Sequence, residues 1–84
     1  MATMTGPKHY ALEWIDEQTR RFSDFHQRIW NYAEPAWREY KSANAYCDLL
    51  RAEGFAVEEG SGEMPTAFAA RWGKSGPVLG AYAE

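Results

Sequence analysis

Apolar positions near the start of the chain recur at helical spacing. Ala11, Ile15, Phe22, Phe25, Ile29 and Tyr32 stand three, four or seven apart, and Gln18 is the one polar interruption in that series. This is the stripe of one amphipathic α-helix, predicted over residues 8–33. Pro7 suits the first turn, where its missing N–H costs nothing. The opposite side carries Asp16 and Arg20, Glu17 and Arg21, and Asp24 and Arg28. Each acid lies four residues before its base, the favourable order for a helical ion pair, at about 0.2–0.5 kcal/mol each. Leu12 and Trp30 project from one flank of the stripe, either towards a partner or as scattered exposed apolar residues.

The pattern breaks at Glu34-Pro35, because the residue before a proline is pushed out of the helical region. Residues 29–40 should hold the turn that folds a second helix back towards the first, with Trp37 filling the gap between them. That second helix is predicted over residues 38–53. Ala43, Tyr46, Cys47 and Leu50 occupy i, i+3, i+4 and i+7 and make one apolar face. Gly54 fits the left-handed position just past the helix end, and Phe55 fits the apolar contact back to Leu50 that accompanies such a cap.

Beyond Gly54 the period changes. Residues 55–58 read as a short strand, residues 59–65 as a loop rich in breakers, and residues 66–72 as a second strand weakened by its alanines. Residues 73–76 form a turn. Residues 77–83, Pro-Val-Leu-Gly-Ala-Tyr-Ala, are predicted as a third strand, antiparallel to the second and apolar on both faces like a central strand. The fold class is therefore α/β, with two N-terminal helices followed by three strands and a loose leader over residues 1–7.

Length and composition narrow the picture. Eighty-four residues make at most one small domain, which buries only about 60% of its unfolded surface. Four Trp, five Tyr and four Phe are a heavy load for such a core, so either several rings lie half exposed or a neighbour covers them. A net charge of −3 without a basic run argues against nucleic acid and anionic membrane surfaces. Cys47 is the single cysteine, so an internal disulfide is impossible and a reducing compartment suits the chain. Without an apolar signal core or a run of about 20 apolar residues, the expected location is the cytoplasm and no membrane span is expected.

Candidate chemistry is sparse. His9 and His26 lie 17 residues apart on the first helix, separated by ~25 Å of axial rise, and cannot share a metal ion. A packed or surface role suits His26. Cys47 has no histidine at ligand spacing. The Gly60-Ser-Gly and Gly73-Lys-Ser-Gly stretches lack the spacing and following helix of a phosphate loop, and Ser61 and Ser75 have no partner that marks a nucleophile. Glu34 and Glu39 lie at the helix junction, where capping or structural pairing is the reading for Glu39. The residues mark no catalytic, cofactor-binding or metal site.

Four motifs nevertheless stand in a recognisable order. They are Ile29-Trp-x-x-Ala-Glu-x-Ala-Trp-x-Glu-Tyr-x-Ser, Leu50-x-x-x-Gly-Phe-x-Val, Gly62-x-Met-Pro-Thr-Ala-Phe-x-Ala and Gly76-Pro-Val-Leu-Gly-x-Tyr-Ala-Glu. Together they resemble the start of a metal-dependent amidohydrolase of the M-twenty peptidase superfamily, which includes aminoacylases and carboxypeptidases. The branch resembled is that of the aminobenzoyl-glutamate hydrolase-like amidohydrolases. The resemblance implies that residues 8–84 are the N-terminal portion of a catalytic domain in which two helices pack on a larger mixed sheet. It implies hydrolysis of an amide bond, in an N-acyl amino acid or aminobenzoyl-glutamate type of substrate, by water activated on zinc or manganese. The family's metal ligands and general base lie beyond the segment resembled, so no cofactor is expected in this chain. Glu84 matches an acidic family position but is not assigned catalysis.

On this reading the chain is a fragment, inactive alone, whose partner is the remainder of the catalytic domain or a second copy. The alternative is a small self-contained α/β protein that binds or supports a partner by strand pairing. A split subunit completing an enzyme in trans would have the same sequence.

Overall fold

The computed structural model describes residues 6–82, which divide into two units meeting at Pro35 and Ala36. The first unit holds one helix, α1 (Pro7–Tyr32). Pro7 stands in its first turn, and the Gly6 carbonyl accepts the Tyr10 N–H at 3.1 Å. The helix closes at Ala33, which is left-handed at φ 48° and donates its N–H to the Trp30 carbonyl. Pro35 explains why the helix goes no further.

The half-buried side of α1 is Trp14, Gln18, Phe22, Phe25, Ile29 and Tyr32. It follows the predicted stripe in its C-terminal half and departs in its N-terminal half. There Trp14 takes the place expected of Ala11 and Ile15, which are exposed, and its ring packs on Phe22 at 5.5 Å between centroids. A large ring reaches further along the helix than an alanine or isoleucine can, so the stripe bends towards it. Leu12 and Trp30 are exposed. Arg21 donates to the Gln18 side chain and Arg28 to the Tyr32 hydroxyl.

The second unit packs one helix on a hairpin. Helix α2 spans Tyr40–Ala52. It begins two residues later than the sequence pattern predicts, because Glu39, at φ −80° and ψ 47°, is outside the helical region and stands as the boundary residue before the first turn. Trp37, expected in a gap between helices, is instead 63% exposed. The end of α2 is as predicted. Phe55 N–H donates to the Leu50 carbonyl and Gly54 N–H to the Arg51 carbonyl, both at 3.0 Å, with Gly54 at φ 91°. These paired bonds are the Schellman cap, which satisfies carbonyls that the helix itself leaves open.

Strands β1 (Ala56–Glu59) and β2 (Phe68–Arg71) pair antiparallel, in a register that sets Val57 opposite Ala70 and Glu59 opposite Phe68. β2 is shorter than predicted because Ala67 is consumed by the loop. Its carbonyl accepts the N–H groups of Gly60 and Ser61, and its N–H donates to Met64. α2 packs on both strands. A two-stranded ribbon alone is marginal in water, so this helix is what makes the hairpin tenable. Tyr46 of α2 stacks on Phe68 of β2 at 5.8 Å and 25° between planes, and Arg51 reaches Glu59 at 2.8 Å. Ala45 and Cys47 are the fully buried core among the described residues.

The α/β class, two helices followed by strands, is as expected. The strand count differs. Residues 77–82 form no strand, and residue 83 lies outside the described residues, as do residues 1–5 of the expected leader. β2 pairs with β1, whereas the sequence pattern paired it with residues 77–83. Apolar character on both faces marks a segment fit for a sheet interior, but a strand exists only when a neighbour supplies its ladder. Here Val78, Leu79 and Tyr82 are about nine-tenths exposed.

Candidate functional site

The residues singled out for chemistry do not converge. His9 sits on α1 with Nε2 3.5 Å from the Glu13 carboxylate, one turn along the same helix. His26 is exposed on α1. They lie ~25 Å apart along the axis. Among the described residues no group of three or more His, Cys, Asp or Glu side chains comes together in a way that could hold a metal ion. The donor set present therefore does not fit the zinc or manganese that the family resemblance implies.

Cys47 is the most enclosed titratable group among the described residues. Its thiol is free, on the face of α2 turned to the hairpin. Burial pushes its pKa up, the Glu59 and Asp48 carboxylates push the same way, and Arg51 opposes them. A nucleophilic thiol needs a lowered pKa and access to solvent, and this one has neither. It behaves as a small apolar core residue.

The glycine loop is occupied with its own backbone. Gly60 N–H and Ser61 N–H turn inward onto Ala67, Glu63 N–H bonds Gly60, and Met64 N–H bonds Ser61. Donors committed in this way cannot cradle a phosphate. Ser61 is half-buried in the short 3-10 turn Ser61–Glu63, and Ser75 is exposed after β2. Glu39 stands at the N-terminal boundary of α2. Its carboxylate accepts the Arg38 N–H at 3.0 Å and its carbonyl accepts the Ala43 N–H, a structural use that agrees with its position before the helix. Glu34 is half-buried after α1, and Glu84 lies outside the described residues.

Residues 72–82 carry the most exposed apolar surface of the second unit. Trp72 is 73% exposed, and its indole Nε1 lies beside Gly54, 3.9 Å from where a Cβ would stand. Sequence reasoning missed this neighbour, since nothing in the spacing links a helix cap to a residue 18 positions later. No helix among the described residues is long and apolar enough to cross a membrane.

No family model matches the chain, and no solved structure matches it. The chain is similar to a p-aminobenzoyl-glutamate hydrolase subunit of Escherichia coli (strain K12), at 31% identity over 70 residues. The matched stretch is 83% of this chain and 15% of that relative, so the chain spans a small part of the length of the curated protein it matches.

Proposed function

We propose that this chain, an aminobenzoyl-glutamate hydrolase-like segment, forms part of the scaffold of a metal-dependent amidohydrolase. The observation that carries the reading is the 31% identity to an aminobenzoyl-glutamate hydrolase subunit, sustained over 83% of the chain. On this reading residues 8–84 are the N-terminal portion of a catalytic domain. The substrate is an amide of the N-acyl amino acid or aminobenzoyl-glutamate type. No residue of this chain is assigned catalysis or metal binding, and the ligands and general base come from residues outside it.

The structure supports a supporting role over a catalytic one. A helix-on-hairpin unit leads into residues 77–82, which are mostly apolar, exposed and without regular structure. Such a segment suits a sheet supplied from elsewhere, whether the remainder of the domain or a second copy. The buried, unpaired thiol fits a reducing, cytoplasmic setting.

The test uses the native product, isolated from its own cells and weighed intact, then assayed for release of p-aminobenzoate from p-aminobenzoyl-glutamate with and without a chelator. A product several times longer than 84 residues, with chelator-sensitive hydrolysis that the 84-residue chain lacks, is the expected result. Hydrolysis by the 84-residue chain alone would overturn the scaffold assignment. A native product of 84 residues without activity would favour a binding or structural protein of the same ancestry.

A further inference from the structure

We draw no further inference here: the strongest candidate, the exposed apolar surface patch of residues 72–82 that follows β2 and includes Trp72, Val78, Leu79 and Tyr82, carries nothing because nothing in the structure shows what covers it.

Discussion

Replacing Gly54 with L-alanine should weaken the α2–hairpin unit, and the size of the effect follows from one dihedral angle. Gly54 sits at φ 91°, and the two cap bonds from Phe55 to Leu50 and from Gly54 to Arg51 depend on that turn. Space is not the obstacle. An added Cβ would find Trp72 Nε1 as its nearest neighbour at 3.9 Å, an ordinary van der Waals contact. The cost is conformational, about 1–2 kcal/mol for an L-residue held in the left-handed region. Alanine also removes freedom from the unfolded chain, which returns about 0.4–1 kcal/mol. The net loss for Gly54→Ala is therefore about 0–1.6 kcal/mol, centred near 0.8 kcal/mol.

A mirror-image control isolates the dihedral cost. D-alanine at the same position restricts the unfolded chain equally but prefers positive φ, so Gly54→D-Ala should stabilise. The two variants, made by chemical ligation, should differ by about 1–2 kcal/mol. With a urea m-value near 1 kcal/mol/M for a small unit, their unfolding midpoints followed by far-ultraviolet circular dichroism should separate by about 1–2 M. Coincident midpoints, or an L-alanine variant more stable than the glycine parent, would refute the assignment of Gly54 as a left-handed cap.

The remaining predictions concern the packing of the same unit. Cys47→Ser should cost about 1–3 kcal/mol in urea unfolding, because a hydroxyl without a partner replaces a buried thiol, and a cost near zero would contradict the burial. The raised Cys47 pKa means that the folded state holds its proton more tightly than the unfolded state. Its contribution is thus fully present below the unfolded thiol value, about 8.5, and is lost as pH rises through the folded value; urea titrations from pH 7 to 10 should show this loss in the parent and not in Cys47→Ala. Phe68→Ala removes a half-buried ring stacked on Tyr46 and should cost about 2 kcal/mol, roughly half the penalty for a fully buried phenylalanine. Glu59→Gln should weaken the Arg51 link with a smaller effect that fades at 1 M salt, since that pair is partly solvent-exposed; an effect indifferent to salt would argue against an ionic contribution.

Local signals in the sequence were read well wherever the physics is local. Pro7 and Pro35 bracket α1 through backbone geometry that each proline imposes on its own neighbours. Gly54 ends α2 because only a residue without Cβ adopts φ 91° cheaply. The predicted apolar positions Ala43, Tyr46, Cys47 and Leu50 are all buried wholly or in part, their spacing being set by the helical period, while the buried side of α2 extends further to Ser42, Ala45 and Leu49. The motifs running from Ile29 to the end of the chain carried the family resemblance, and the similarity to the hydrolase subunit agrees with it. The candidate site was not legible, since catalytic and ligand sets are assembled by side chains distant in the sequence and no motif here joins them.

What the sequence could not decide was pairing. Residues 77–82 have the composition of an interior strand, yet a strand is defined by hydrogen bonds to another segment, and composition does not name that segment. The structure gives β2 to β1 and leaves residues 77–82 exposed. Trp37 was expected in a gap and is mostly exposed, and Trp14 and Trp72 had no assigned place, because a large ring can fill a gap, extend a stripe or stand in solvent at the same helical or strand position. Their places depend on which surfaces approach one another in three dimensions. By itself the sequence determined the two helices and where each closes, which interactions within a few residues set, and it carried the family likeness. The tertiary structure alone decided which strands pair and which rings are covered, because those choices rest on surfaces contributed by distant parts of the chain.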